Sequence, residues 1–430
     1  MRLRMRLRPA LGLALAATLA ATAACGGDDG GGGGGDTVTL RFEWWGNPDR
    51  AKLTEQAIDL FEQRQSTIKI QTSYAEFDAY FQKMSTQIAG GSAPDILQMD
   101  YRYISEYGGR NVLLEFGTAG ATVNTSQMNR ALLEGGKVNG KVYGIPMAQN
   151  TQMFTYDPAA WKAAGAKPPA DGWTWNDLEQ AASKVSAHTG NKVRGVVDFG
   201  GIEDWFEVWL RQRGKTLYTP DGKLGYTAAE VAAFWELTDR LRRGGAATQA
   251  DVTTELDGSQ ANDPVAQKTA SSGFAYDSGF TPQTWEIYGR EMAVAPFPTD
   301  GAELGQYAKP SMLISIARRS KHPKEAARFI DFLLNDPEVG KVLGVSRGMP
   351  ANGQIRDTVG AALTGPPKVA YEFEKAVLPD LKNAPPPPPK GSGEVKAAFQ
   401  RVYDDVSFER SSPSEAAQKF IREAQQALSA

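Results

Sequence analysis

Aromatic and polar side chains come directly after, or between, several predicted strands, at positions that a bound molecule could contact. Eight of them are Trp45, Asn47, Asp100, Tyr101, Gln149, Asn150, Asp277 and Ser278. In an open parallel sheet, ligands bind outside the carboxyl ends of the strands, so we expect these side chains to line one cleft. Aromatic rings cover apolar faces, whereas amides, carboxylates and hydroxyls pair with hydroxyl groups. The mixture therefore indicates a site for a neutral polyhydroxylated ligand.

The first of these segments, "RFEWWGNPDR" at 41–50, contains two adjacent tryptophans. Strand alternation places Trp44 on the same face as Phe42, which predicts a core position for Trp44. Trp45 points to the opposite face at the end of the strand, so we expect its ring to stack on the ligand. Gly46 leaves room for the ligand to approach the backbone closely.

Three further side chains have two interpretations each. Trp205 lies one helical turn from Trp209 in "EDWFEVWLRQRG", so it either packs in the core or faces the cleft that follows a strand end. Arg347, in "SRGMPAN", binds either a ligand hydroxyl or carboxylate, or only a backbone carbonyl. Asp100 either contacts the ligand or caps the helix that follows it.

The N-terminal segment predicts secretion and a lipid anchor. The basic stretch "MRLRMRLR" precedes "ALGLALAATLAATAA", which is too short and too Ala-rich for a good membrane span. We therefore expect a signal peptide at 1–25, with an uncleaved anchor helix as the alternative. Cys25, the only cysteine, resembles the acylated cysteine of bacterial lipoproteins, although Thr22 stands where leucine is usual. The glycine-rich residues 26–36 predict a flexible tether between the lipid and the folded body.

Composition and motifs argue against several functions. The net charge of −3 is spread along 430 residues, so no nucleic-acid partner is expected. His188 and His322 are the only histidines, and the sequence lacks HExxH, GxSxG and Cys/His clusters, which predicts no metal, no cofactor and no catalytic triad. An isolated pair of catalytic carboxylates stays open, and it would make the protein an extracellular glycan-active enzyme. A polyamine, a phosphate ester or a metal ion as the ligand also stays open.

Alternating strands and helices must position these side chains. Strands are predicted for "TVTLRFEWW", "IKIQT", "PDILQM", "KVYGIPM", "TQMFTYD", "VRGVVDFG", "SGFAYDS", "MAVAPFP" and "SMLISIA". The helices between them include residues 51–65, 174–185 and 322–336. This order predicts an α/β fold with a mostly parallel sheet and helices on both faces. The stretch "APPPPPK" at 384–390 adds a stiff polyproline segment.

Six segments, in order along the chain, resemble a known family. They are "APDILQMD", "GKVYGIPMAQNTQMFTYDPAAWKAAG", "WTWNDLEQAA", "VAPFP", "SMLISIARRSKHPKEAARFIDFLLNDPEVG" and "GMPAN". The sequence thereby resembles the extracellular solute-binding proteins of ABC importers, most of all the sugar-binding branch that includes maltose-binding protein. The resemblance implies a membrane-anchored surface protein that captures a sugar or oligosaccharide and delivers it to a transporter permease. We also expect a monomer that is not an enzyme.

The resemblance further implies the lobe arrangement and more of the cleft. It implies a type II two-lobed fold in which the chain crosses a hinge three times, near 145–149, 294–298 and 320–324. The expected lobes comprise 37–146 with 297–321, and 150–293 with 323–430. By the same likeness, Asn150 takes the place of a cleft carboxylate, and Phe280 or Trp285 that of a stacking ring. Ligand binding is expected to close the two lobes.

Overall fold

The computed structural model describes residues 37–256 and 262–429 of the chain. The predicted signal peptide at 1–25, its acylation site Cys25 and the predicted tether at 26–36 lie outside the described residues. Within the described ranges, no helix is both long enough and apolar enough to cross a membrane.

Strands of the described ranges form one large mixed sheet and one small hairpin. Their bounds are β1 Val38–Trp45, β2 Ile68–Ala75, β3 Ile96–Met99, β4 Lys137–Val138, β5 Lys141–Val142, β6 Ile145–Tyr156, β7 Ser272–Tyr276, β8 Ala293–Ala295, β9 Ala308–Ile316 and β10 Met349–Pro350. The large sheet has the order β10-β6-β9-β3-β1-β2, and β7 and β8 also pair with β6. β1 is parallel to β2 and β3, whereas β9 is antiparallel to β3 and β6. The sheet is therefore mixed rather than mostly parallel.

Helices make up the rest of the regular structure, together with three short 3-10 turns. In the described ranges they are α1 Pro48–Arg64, α2 Phe77–Ala89, α3 Ile104–Gly109, α4 Arg130–Leu133, α5 Pro158–Ala163, α6 Trp175–His188, α7 Glu203–Arg211, α8 Ala228–Arg243, α9 Ala250–Thr253, α10 Thr284–Tyr288, α11 Pro323–Asn335, α12 Pro337–Leu343, α13 Gly353–Ala362, α14 Gly365–Val377, α15 Ser392–Ser407 and α16 Pro413–Ser429. Several begin at a side chain that caps the first turn, such as Asn47 before α1 and Thr174 before α6.

Strand β6 connects the two parts of the large sheet. Its first half, 145–151, pairs with β9, and its second half, 152–156, pairs with β7 and β8. The two strands predicted around residue 149 are therefore one continuous strand. The predicted strand "VRGVVDFG" at 193–200 is wrong for the described structure, where this segment forms only isolated bridges. It pairs with 269–272 on one side and with 246–248 on the other, so neither ladder is long enough to form a strand.

The buried apolar side chains form clusters on either side of β6. The first core contains side chains of β1, β3 and β9. A second core is built from α6, α7, α8, α15 and α16, and a smaller third core lies around α14. The predicted lobe boundaries stay a prediction. Phe329 and Ile330 of α11 and Val339 of α12 pack in the first core, which argues for moving 323–343 from the second lobe to the first.

Candidate functional site

The candidate site lies where β6 passes from the first core to the second. Asn150 on β6 is paired in register with Lys309 on β9. The Lys309 ammonium lies 5.7 Å from the ring centre of Tyr101, which follows β3, and 5.4 Å from that of Tyr276, the last residue of β7. Lys309 Nζ is also 3.6 Å from Asp204 Oδ1 on α7. Side chains from β7, β9, α7 and the segment after β3 thus meet at one point.

We call Asp204, Lys309, Lys396, Tyr101 and Tyr276 the lysine–carboxylate cluster. Tyr276 Oη donates a 2.7 Å hydrogen bond to Asp204 Oδ1, and Lys396 on α15 forms an ion pair with Asp204 Oδ2. Burial opposes ionisation of Asp204, but the ammonium groups of Lys309 and Lys396 outweigh it and hold the pKa of this carboxyl well below its usual value. The single negative charge of Asp204 is therefore fully compensated by the two ammonium groups.

The proline-rich segment forms a wall beside the cluster. Tyr101 Oη lies 2.5 Å from the carbonyl oxygen of Pro385 and 3.0 Å from that of Pro386, so its proton is shared between the two acceptors. Arg211 Nη2 donates to the Asn383 carbonyl at 2.8 Å. The segment thus presents backbone carbonyl groups to the Tyr101 hydroxyl and the Arg211 guanidinium.

Two glutamates on α7 extend the polar surface. Glu207 Oε2 accepts a 2.5 Å hydrogen bond from Tyr307 Oη, and the Arg211 guanidinium lies over the Tyr307 ring. Burial raises the pKa of Glu207, although the Tyr307 hydrogen bond and the Arg211 charge oppose this. Burial also raises the pKa of Glu203 to about 8, so this carboxyl is mostly protonated at neutral pH. This face of α7 therefore offers both hydrogen-bond donors and acceptors.

A second group of buried polar atoms surrounds Gln149 on β6. Gln149 Nε2 donates to Glu374 Oε1 on α14 at 2.8 Å, and Arg356 Nε lies 3.7 Å from the same oxygen. The Asp277 carboxyl faces that of Glu374, and one proton shared between them joins the two groups, whereas Asn150 Oδ1 has no partner among the described residues. Burial, followed by the charge of Glu374, raises the pKa of Asp277 well above its usual value, so Asp277 is expected to hold a proton.

Arg50 and Arg347, which we call the arginine pair, lie at the carboxyl end of β1. Arg50 donates to the carbonyl oxygens of Trp45 and Ser346, at 3.3 Å and 3.0 Å, and Arg347 Nη2 donates to Thr54 Oγ1 at 2.7 Å. Arg347 is 6% exposed. Its Nε and Nη1, and Nε of Arg50, have no partner in the part of the chain that the structure describes. Burial, and then the charge of Arg50, lowers the pKa of Arg347 to about 9.

The arginine pair adjoins Asn150. The residue after Arg347 is Gly348, with φ of +102°, and a Cβ placed there would lie 2.5 Å from Asn150 Oδ1. Only glycine therefore fits this position. Ser311 Oγ donates a 2.5 Å hydrogen bond to the Arg347 carbonyl and so ties the same loop to β9. Asn150 therefore contacts the loop that follows Arg347 and is paired across strands with Lys309 of the lysine–carboxylate cluster.

The ring of Trp45 is packed in the first core, which argues against the predicted stacking on a ligand. It is 8% exposed, and its ring centre lies 5.4 Å from that of Phe77, 5.6 Å from Tyr80 and 5.7 Å from Phe81. These three residues belong to α2, which covers one face of β1. Trp44 packs on the other face, as predicted. Because both faces of the strand are covered, both rings are buried.

Other predicted aromatic contacts are also core residues. Trp205 is buried 5.4 Å from the Tyr276 ring, because α7 packs this side against β7, and Phe280 belongs to the third core. Trp285 is half-buried and lines a separate cavity of about 1180 Å³ between β8 and α14. Ser278 is exposed. Trp205 and Phe280 therefore pack as structural side chains, and Trp285 lies apart from the cluster.

Asn47 and Asp100 stand at strand ends with side chains engaged in local structure. Asn47 Oδ1 caps α1 by accepting a 2.9 Å hydrogen bond from the Arg50 amide. Asp100 Oδ1 accepts from the amide and from Nε of Arg102, at 2.8 Å and 2.9 Å. A ligand contact by either residue stays a prediction.

The sequence argument missed several side chains of the site, namely Arg50, Asp204, Tyr276, Lys309 and Glu374. Lys309 lies near the amino end of β9, and a rule based on the carboxyl ends of parallel strands overlooks an antiparallel strand. Tyr276 is the last residue of β7, whereas the rule selected the residue that follows it, Asp277. Glu374 lies within α14, where no local sequence signal distinguishes it from an exposed helical glutamate.

Proteins of known sequence or structure resemble nearly the whole chain. An extracellular solute-binding protein family 1 from Alicyclobacillus acidocaldarius is 31% identical, with a TM-score of 0.79, covering 92% of this chain and 100% of that one. A periplasmic oligogalacturonide binding protein from Yersinia enterocolitica is 20% identical, with a TM-score of 0.78, covering 91% and 99%. An uncharacterised lipoprotein of Streptomyces antibioticus is 22% identical, covering 93% and 90%. The two-lobed α/β fold predicted from the sequence is thereby confirmed.

The family match covers part of the site, because Arg347, Glu374 and Lys396 lie beyond the matched range. The sequence pattern of the bacterial extracellular solute-binding proteins matches residues 45–339 of the 430. This range contains all of β3, β6, β7, α7 and β9, and the family is one of binding proteins rather than enzymes. The chain therefore belongs to the bacterial extracellular solute-binding proteins.

Proposed function

We propose that the protein captures a carbohydrate between its lobes and delivers it to the permease of an ABC importer. The main support is a group of buried polar atoms around the middle of β6 that have no partner among the described residues. They are Gln149 Oε1 and Thr151 Oγ1 on one face of β6, and Asn150 Oδ1 on the other. Buried polar groups in native proteins are nearly always hydrogen-bonded. A polyhydroxylated molecule both donates and accepts hydrogen bonds, so it suits this mixed set.

A carbohydrate suits the site better than a polyamine. Polyamines need several free carboxylates, but Asp204 is already neutralised by Lys309 and Lys396. Asp277 is expected to be protonated for the reason given above. The rings of Tyr101 and Tyr276 add apolar surface near the hydrogen-bonding groups. The Yersinia protein of the same fold is named for an oligosaccharide, which agrees with this choice.

Calorimetric titration of the purified protein with a panel of neutral and acidic oligosaccharides tests the proposal. Asn150→Ala should weaken binding of the best sugar roughly tenfold, because one hydrogen bond in a buried site is lost. Asn176→Ala, at an exposed position of α6, is the matched control and should bind like the wild type. A response to spermidine without a response to any sugar would contradict the proposal. Loss of sugar uptake from host cells that lack the protein would test delivery.

We also propose that a lipid on Cys25 holds the protein on the outer face of the cell membrane. The family is extracellular, and the Streptomyces relative is a lipoprotein. Cell fractionation of Cys25→Ala in the native host tests this anchor, and we expect the variant to leave the membrane fraction. A variant that stays as firmly membrane-bound as the wild type would show that the cysteine is not the anchor.

A further inference from the structure

The arginine pair differs from the other buried charges of the site because it has no opposite charge beside it. Among the side chains that the structure describes, no Asp or Glu oxygen forms an ion pair within 4.0 Å of Arg50 or Arg347. The exposed Glu76 acts on Arg50, but its effect on the pKa of Arg50 is smaller than that of burial. For Arg347, the only charge found to act is the like charge of Arg50.

This arrangement is unfavourable without a counter-ion. A buried guanidinium has lost its hydration, and a second positive charge nearby adds repulsion. The three nitrogens without a described partner, Nε and Nη1 of Arg347 and Nε of Arg50, are donors only. An anion supplies both the missing charge and the missing acceptors. Ser346 Oγ, in the residue before Arg347, is a further buried atom without a partner among the described residues.

We propose that the captured carbohydrate is an acidic sugar, whose carboxylate or phosphate binds the unpaired nitrogens of Arg50 and Arg347. This inference rests on the proposed carbohydrate function. Asn150 Oδ1 lies beside the backbone of Gly348, so the loop that carries Arg347 borders one polar side chain of β6, to which a hydroxyl of the same sugar would bind. The sequence argument expected a neutral ligand, and the proposal replaces that expectation.

A small inorganic ion is the competing occupant. A cavity of about 30 Å³, lined by Ser346, Arg347 and apolar side chains such as Leu343, adjoins the pair. That volume is enough for a water molecule or a small ion. Two features favour the sugar. The pair lies at the carboxyl end of β1, where ligands of such sheets bind, and it adjoins the polar group on β6.

Calorimetric titration with matched probes separates these cases. Digalacturonate, a neutral galactose disaccharide, galactose 6-phosphate and inorganic phosphate alone would each be titrated into the wild-type protein. We expect digalacturonate or galactose 6-phosphate to bind at least tenfold more tightly than the neutral disaccharide. Whichever of these two acidic sugars binds more tightly identifies the preferred anionic group as a carboxylate or a phosphate. Equal affinity for neutral and acidic sugars would overturn the acidic-sugar inference but leave the carbohydrate function standing. Binding of no sugar would contradict both.

Variants of the arginine pair provide a second test of the proposal. Arg50→Gln and Arg347→Gln should each reduce the affinity for the acidic sugar roughly tenfold to a hundredfold, because a charge-assisted hydrogen bond is lost. Their affinity for the neutral sugar should change much less, a difference that a merely structural role would not produce. Arg64→Gln, at the exposed far end of α1 and paired with Asp336 and Glu338, is the control. Equal losses for both sugars, or binding of inorganic phosphate alone as tight as that of the acidic sugar, would overturn the inference.

Discussion

The two groups of charges at the candidate site are built in opposite ways. In the lysine–carboxylate cluster, Asp204 lies between two ammonium groups and accepts a tyrosine hydrogen bond. In the arginine pair, two cations lie together, and no carboxylate pairs with them among the described residues. The first group is complete without a ligand, so we expect it to stabilise the fold. The second group is incomplete, so we expect it to favour ligand binding at the expense of stability.

Truncation of the nearby apolar side chain of Trp45 provides a reference for this comparison. It should have the largest effect on the free energy of unfolding. Trp45→Ala should destabilise the ligand-free protein by about 3–5 kcal/mol, because it leaves a cavity among the α2 rings. Sugar affinity should stay within a few-fold of the wild type. Urea unfolding and calorimetric titration of the same variant measure the two quantities. A large loss of affinity with unchanged stability would instead support the stacking role expected from the sequence.

Removing the charge at the centre of the cluster should also destabilise the protein, by about 2–3 kcal/mol. Asp204→Asn leaves Lys309 and Lys396 without their shared carboxylate. Lys309 is mostly buried and accounts for most of the cost, because Lys396 is half-exposed and can be solvated. Asp300→Asn, which removes a half-exposed partner of Arg213, is the control and should cost less than about 1 kcal/mol. Urea unfolding at constant pH measures both variants. Equal losses of stability in the two variants would contradict the prediction that the lysine–carboxylate cluster stabilises the fold.

The cluster also predicts a pH dependence. The pKa of Asp204 is lower in the folded protein than in the unfolded chain, so its contribution is complete above the unfolded value of about 4 and is lost as the pH falls below it. The stability difference between the wild type and Asp204→Asn should therefore shrink below about pH 4.

Removing a charge from the arginine pair should change the free energy of unfolding least, and in the opposite direction to the other two variants. Arg347→Gln relieves an uncompensated buried charge, so we expect the ligand-free protein to be unchanged or more stable by up to about 1 kcal/mol. Urea unfolding without ligand measures it, with Arg64→Gln as a control that should lose less than about 1 kcal/mol. A loss of more than about 2 kcal/mol would mean that the bond from Arg347 to Thr54 outweighs the charge penalty, and the contrast between the two groups would fail.

Much of the fold and part of the site could be predicted from local sequence. Alternation placed Trp44 in the core correctly, and the glycine–asparagine–proline turn after Trp45 ends β1 as expected. Gln149, Asn150, Asp277 and Arg347 were selected because they lie after or between predicted strands or in a conspicuous loop, although Gln149 and Asn150 lie inside β6. Trp45 was misplaced because the argument did not anticipate that α2 covers its face of β1. Lys309 was missed because the antiparallel direction of β9 is not visible in its sequence.

The sequence by itself determined the α/β class and most of the strand ends, because periodicity and turn residues act over a few neighbouring positions. The family followed from the resemblance of six segments to known proteins. The sequence also located Cys25 behind an apolar segment, from which the proposed lipid anchor follows. Only the tertiary structure decided which charges are paired. Tyr101 and Pro385 are 284 residues apart along the chain, and Arg347 and Thr54 are 293 apart. The partner of a buried polar atom is set by the packing of distant elements, so the completeness of the cluster and the incompleteness of the arginine pair become visible only in three dimensions.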